Sequence, residues 1–310
     1  MDELVVETQA LTKRYGSVLA VDNLSIQVPR GGVFGLLGPN GSGKTTTMSM
    51  LLGLVSPTSG TFRLLGRDAN SGRQEALHHI GAIVESPAFY PYLSGLKNLR
   101  YFQGIIGRGD LADVERLLDL VGLSSRAHSK VSTYSQGMKQ RLGIAYALLG
   151  APDLLFLDEP TNGLDPAGMA EVRELIRQLS MEGCTVLLSS HLLHEVEQVC
   201  DRVAILSRGR LIAQGAIRDL LRRRGAVRFS TTDDTKAAGI VSNLPWVTAV
   251  TAEDGYLTAQ VPPERSWELS KALADEGVSV KEMAPVQDSL ERYFLEVTGD
   301  DNPSAQGETS

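Results

Sequence analysis

The chain has 310 residues, 42% of them hydrophobic and 22% charged, and its 30 Lys and Arg against 37 Asp and Glu leave a net charge of −7. That length corresponds to about two domains, and the acidic balance disfavours a sequence-independent nucleic-acid binder, whose phosphate contacts need clustered Lys and Arg. No run of about 18 apolar residues is present to span a bilayer, and the acidic start, Met1-Asp2-Glu3, is unlike the basic n-region of a signal peptide.

Short apolar runs at Gly32–Leu37, Ile80–Val84, Leu154–Leu157 and Thr185–Leu188 predict buried strands of a largely parallel sheet. Each precedes polar or Gly-rich residues and then a helical pattern, which argues an α/β fold. Residues 87–149 have helical periodicity and few β-branched runs, and predict a helical insertion. Cys184 and Cys200 have neither CxxC nor metal-ligand spacing and read as reduced, buried, cytosolic thiols.

A boundary falls near Arg222-Arg223-Arg224-Gly225. The arginines are either a contact for acidic lipid or a partner, or a solvated helix end. Beyond them, Ala226–Ser230 predicts a strand, Lys236–Leu244 a helix, and Val247–Thr251 with Tyr256–Val261 a hairpin about Glu253-Asp254-Gly255. Trp267–Glu276 predicts a helix, Val278–Met283 a strand and Ser289–Val297 a last amphipathic helix. The order βαββαβα resembles a ferredoxin-like domain over 226–298. The polar tail, 299–310, is expected to be disordered.

Gly38-Pro39-Asn40-Gly41-Ser42-Gly43-Lys44-Thr45-Thr46 fits G-x-x-x-x-G-K-[ST] directly after a predicted strand. Its glycines let successive N–H groups turn inward on phosphate oxygens, and the helix it opens favours an anion at its N-terminus. Lys44 is expected on the β- and γ-phosphates and the Thr45 hydroxyl on Mg²⁺. Leu154-Leu155-Phe156-Leu157-Asp158-Glu159 then delivers two carboxylates at a strand end. Asp158 would hold the metal and Glu159 would polarise the attacking water.

About 20 residues earlier lies Tyr134-Ser135-Gln136-Gly137-Met138-Lys139-Gln140-Arg141. This resembles the signature of the ATP-binding cassette (ABC) ATPases, and the likeness extends over residues 4 to about 222. It implies a P-loop core with an N-terminal antiparallel β subdomain and a helical subdomain at about 87–149, filling residues 1–222. It further implies that Ser135, Gln136 and Gly137 close on the nucleotide of a second copy, that Tyr15 stacks on adenine, that Asp165 belongs to the D-loop, and that His191 contacts the γ-phosphate. By itself Tyr15 reads more readily as a packed surface aromatic, and His191 also fits a satisfied core or capping histidine.

Two departures from the family stand out. Gln136 and Met138 occupy signature positions usually held by Gly and Gln, and Gln136 is strained if that position needs a positive φ. Glu85 follows strand Ile80–Val84 where a metal-ligating glutamine is usual. Its context is similar to the E-loop of bacitracin- and lantibiotic-type self-protection transporters. Glu85 is either a third Mg²⁺ ligand, as a hard charged oxygen donor, or an uninvolved strand end. The segment Ser289–Glu296 is similar to the ending of many drug- and antibiotic-exporting cassettes.

The resemblance therefore implies the ATP-hydrolysing subunit of an exporter, with ATP and Mg²⁺ as cofactors. It acts peripherally at the cytoplasmic face of the membrane on a separate permease, and forms an ATP-sandwich dimer with a second copy. Phe89, Tyr90, Pro91 and Tyr92 are either its dock for the permease or internal packing of the helical insertion. A non-transport ABC ATPase lacks support from a second cassette or a coiled-coil insertion, and a small-molecule P-loop kinase leaves the signature unexplained.

Overall fold

Three strands are buried at every residue: Val33–Leu37, Leu154–Asp158 and Thr185–Ser190. In the computed structural model, which describes residues 3–69, 71–85, 88–108, 110–222, 225–253, 255–286 and 289–299, they lie side by side and parallel, with Leu37 opposite Ser190 and Asp158 opposite Ser189. Strand Ile80–Ile83 extends this sheet beyond Leu154–Asp158. On the other flank Arg202–Ser207 pairs parallel with Val33–Leu37, and Arg210–Ala216 completes six strands. Burial on both faces is why these central strands read as unbroken apolar runs.

A five-stranded antiparallel sheet precedes and flanks this core. The long strand Leu4–Tyr15 pairs with Val18–Leu24, Gln27–Pro29 and Ser59–Leu64, and Arg67–Asp68 forms the edge. Helix Lys44–Leu51 contributes Met48, Met50 and Leu51 to one apolar cluster with Val5, Leu11, Val21, Phe62, Phe156 and Leu187, drawn from both sheets. At roughly 1.5–3 kcal/mol per fully buried large side chain, this packing pins the helix and so the loop that opens it.

The segment after Ile83 is helical, with helices Gly95–Ile106, Leu111–Leu120 and Gln136–Ala147. Each starts at a polar N-cap: Ser94 accepts from the Lys97 N–H at 3.2 Å, Asp110 and Asp113 form a reciprocal capping box, and Ser135 accepts from the Met138 N–H at 3.2 Å. Fully buried Asn98 accepts from the Tyr90 N–H at 2.9 Å and donates to the Tyr90 and Ser94 carbonyls, which fixes the entry to the first helix. Phe89 packs edge-on to Phe102 and Tyr146, so it belongs to the interior of this region, whereas Tyr92 is 64% exposed. Cys200 is buried as expected, but Cys184 is only partly so, because it sits at the entry to strand Thr185–Ser190. Both thiols are free.

The chain divides into two compact units, residues 1–215 and 216–310. The division falls ahead of the arginine run: helix Ile217–Arg222 packs on helix Leu290–Gly299 within the second unit. Arg223 and Arg224, like the tail from residue 300, lie outside the described residues. The second unit's sheet runs Ala249–Glu253, Tyr256–Gln260, Ala226–Thr231, Val280–Val286, every neighbour antiparallel, as in ferredoxin-like domains. Its core joins Val227, Phe229, Leu257 and Ala259 of the strands to Ala237, Val241, Leu269 and Leu273 of the helices. The last strand starts at Val280, two residues later than the apolar pattern predicts. Gly277, at φ 75°, ends the preceding helix, and the Val278 N–H donates back to the Leu273 carbonyl at 2.9 Å, so Val278 is buried as part of the helix cap.

Candidate nucleotide site

Strand Val33–Leu37 runs into the glycine-rich loop, and the helix begins at Lys44. The loop is so tightly wound that only glycine fits at its two ends. A Cβ on Gly38 would fall 2.2 Å from the Leu206 carbonyl oxygen, and one on Gly43, at φ 100°, 2.7 Å from that of Ala20. The Ser42 Oγ is buried with no hydrogen-bond partner among the described residues, an orphan that native interiors rarely tolerate without a ligand. No acidic residue occupies the first turn of the helix. Lys44 is buried, and its Nζ donates to the carbonyls of Gly38 at 2.8 Å and Pro39 at 3.3 Å.

The neighbouring strand ends supply the acids. The Asp158 Oδ1 accepts from the Thr45 hydroxyl at 3.2 Å and from the Ser189 hydroxyl. The Ser189 Oγ also accepts from the Glu159 N–H at 2.9 Å, so one hydroxyl positions both acidic residues. Sequence reasoning missed Ser189, although the parallel pairing of the two strands sets it opposite Asp158. Glu159 has a left-handed backbone, φ 48°, an uncommon conformation for a side-chain-bearing residue and one that concentrates at functional sites. Its carboxylate lies between Lys44 Nζ at 3.4 Å and His191 Nδ1 at 2.9 Å.

Glu159 and His191 line one cavity of ≈ 630 Å³ together with Tyr15, Val18, Leu19, Ala20, Asn40 to Thr46, Asn162 and Arg208, within the usual size range for a small-molecule site, and Asp158 is joined to it through the Thr45 hydroxyl. Tyr15 is 47% exposed, and Lys13 Nζ sits 4.9 Å from its ring centroid, held there by donating to the Ser56 carbonyl at 2.7 Å. A glycine-rich loop at a helix N-terminus, a buried cation and an orphaned hydroxyl fit a polyphosphate. Thr45 and Asp158 fit Mg²⁺, which takes few protein oxygens and keeps waters. Among the described residues no group of three or more His, Cys, Asp or Glu forms a denser metal site.

The remaining predicted residues do not line this cavity. Ser135 caps helix Gln136–Ala147, and Gln136 is the first helical residue with no positive φ, so the expected strain is absent. A Cβ on Gly137 would meet only the Ser135 Oγ, at 4.0 Å, so its face is open. Asp165 is exposed and caps helix Pro166–Met181 by accepting from the Gly168 N–H at 3.3 Å. Glu85 is exposed, at φ 65°, just past strand Ile80–Ile83, whose Ile83 pairs with Leu157, the residue before Asp158. The following Ser86 and Pro87 lie outside the described residues.

The family model described as "ABC transporter" matches residues 21–162. The bacitracin transport ATP-binding protein BcrA of Enterococcus faecalis is 38% identical over 299 residues, covering 96% of this chain and 97% of that protein. The chain belongs to the ABC transporter family. The lantibiotic transport ATP-binding protein SrtF of Streptococcus pyogenes is 41% identical over 210 residues, 68% of this chain and 90% of its own length. A solved structure of an ATP-binding subunit of an ABC transporter superposes with a TM-score of 0.63 at 32% identity, over 71% of this chain and 92% of that one. The cassette is an ABC ATPase, and no helix among its described residues is long and apolar enough to cross a membrane.

Proposed function

We propose that this cassette hydrolyses ATP to drive export of an antibiotic or antimicrobial peptide through a separate permease, working at the cytoplasmic face of the membrane and closing with a second copy of itself over ATP. One observation carries the reading: three parallel strand ends bring the phosphate loop, Glu159 and His191 to a single cavity, with Asp158 bonded to its Thr45. Likeness to BcrA over nearly the whole chain supports the substrate class.

The loop amides and Lys44 bind the β- and γ-phosphates, and Tyr15 receives the base. Glu159 orients the attacking water and accepts its proton, while His191 holds the carboxylate and faces the γ-phosphate. Thr45 and Asp158 would hold Mg²⁺, with Glu85 as a further ligand; the ion would offset phosphate charge. The open face at Ser135–Gly137 receives the nucleotide of the second copy, with Asp165 beside that interface. A groove of ≈ 580 Å³ lined by Leu54, Ile105, Ile106 and Tyr146 supports a dock for an apolar helix of the permease. Leu54 and Ile105 are each 66% exposed, an apolar surface of the kind that marks interaction sites.

The test is phosphate release from Mg-ATP by the full chain, together with bacitracin or lantibiotic resistance of cells producing it with its permease. Absence of ATP hydrolysis, alone and with the permease, overturns the proposal.

A further inference from the structure

Lys44 is not the only cation that lines the nucleotide cavity. Arg208 lines it too, and its guanidinium has no ion-pair or hydrogen-bond partner among the described residues. It occupies the turn between strands Arg202–Ser207 and Arg210–Ala216. Both turn residues have positive φ, 48° at Arg208 and 81° at Gly209, the combination of a tight hairpin turn that favours Asn or Gly at its first position. A long cationic side chain is thus held where a shorter residue would cost less.

The turn is also tied to the phosphate loop. The Gly209 N–H donates to the Ser42 carbonyl at 3.2 Å, and the Asp22 N–H donates to the Gly209 carbonyl at 2.8 Å. Gly209 Cα packs 3.6 Å from where a Cβ on Gly43 would stand. Arg208 therefore keeps a fixed station relative to the loop.

Strand order decides which part of the ligand it faces. Asp158, Glu159 and His191 arrive from the strands on one flank of Val33–Leu37, whereas Arg208 arrives from Arg202–Ser207 on the opposite flank. On that flank the turn packs against Ala20, which lines the cavity with Tyr15 and Val18. We infer that Arg208 is a nucleotide-binding residue that pairs with the α-phosphate, at the end of the nucleotide away from the bond that is cleaved. The inference rests on the nucleotide reading above and adds to it a contact that ATP and ADP share.

The experiment is equilibrium binding of fluorescent ATP and ADP analogues to the full chain and to Arg208→Gln, Arg208→Lys and Arg208→Gly. Glycine suits the left-handed turn, so Arg208→Gly keeps the fold should the glutamine variant fail to fold. The Gln and Gly variants should lose roughly tenfold in affinity, the scale of one charge-assisted hydrogen bond, by the same factor for ATP and ADP. Arg208→Lys should retain most of the affinity. Binding within twofold of wild type in both the Gln and Gly variants overturns the inference, as does a loss confined to ATP. A wild-type chain that binds neither nucleotide overturns the nucleotide reading itself, a separate result.

Discussion

Lys44 and Glu159 stand 3.4 Å apart, ammonium against carboxylate, with the lysine 5% and the glutamate 21% exposed. The pair joins the two halves of the proposed reaction. Lys44 already donates to two loop carbonyls, so a phosphate oxygen arriving at its Nζ competes with Glu159 for the remaining donor. The carboxylate that loses this partner keeps His191, 2.9 Å away, and is freed to accept a proton from water.

Removing the lysine therefore exposes both roles. Lys44→Ala should abolish measurable hydrolysis and weaken ATP binding by at least tenfold, since a buried charge-assisted contact is lost. Phosphate release and nucleotide titration check this; wild-type rates would remove the loop from the mechanism.

Glu159→Gln keeps the shape and discards the base. ATP should bind near wild-type affinity, while turnover falls on the order of 10²–10⁴-fold. The dimer should then accumulate with Mg-ATP, as read by size-exclusion chromatography with light scattering. A monomer at saturating ATP, with and without the permease, contradicts the proposed closure.

Glu85 separates a ligand from a bystander. Glu85→Ala should lose coupled transport and most ATPase activity of the assembled transporter, while Glu85→Gln should keep a measurable part of both with a changed Mg²⁺ dependence. ATPase rate against Mg²⁺ concentration, beside a resistance assay, reads the difference. Two variants that match wild type throughout make Glu85 an ordinary strand end.

The cysteines give a pH test. Burial, with a smaller effect from Asp153, pushes the Cys184 thiol up to about 11, and burial raises Cys200 well above the ordinary thiol value. The thiolate is the reactive form, and a raised value keeps the neutral thiol to higher pH. Alkylation of the native chain at pH 7 should be slow at both residues and should accelerate at Cys184 as pH approaches 11. Cys200 should react only on unfolding. Mass spectrometry of peptides after timed alkylation measures both; fast labelling of Cys200 at neutral pH would show that its burial is wrong.

The sequence was most legible where a residue type has one cheap explanation. The glycines of the loop, the apolar runs of the central strands and the paired carboxylates announce themselves because sterics and burial leave few alternatives. Strands Arg202–Ser207 and Arg210–Ala216 were not predicted, since the apolar run Val203–Leu206 is followed by a turn and a second strand rather than by the helical pattern that marked the other strands. Ser189 and Arg208 escaped for another reason: both act through neighbours brought close by strand pairing, and nothing in their local sequence marks that. Gln136 looked strained only because a loop conformation was assumed where the helix had already begun.

The open face at Gly137 has a genetic consequence. Because Ser135, Gln136 and Gly137 do not line the cavity of their own chain, closure between two copies would make each reaction centre a composite, with the loop from one and the signature from the other. A chain carrying Lys44→Ala and a chain carrying Ser135→Arg should each be inactive alone. Mixed in one assembly, they would concentrate both defects in one centre and leave the other intact. Cells producing the two defective chains together should thus recover part of the activity that neither supplies, while cells producing one chain with both substitutions should recover none.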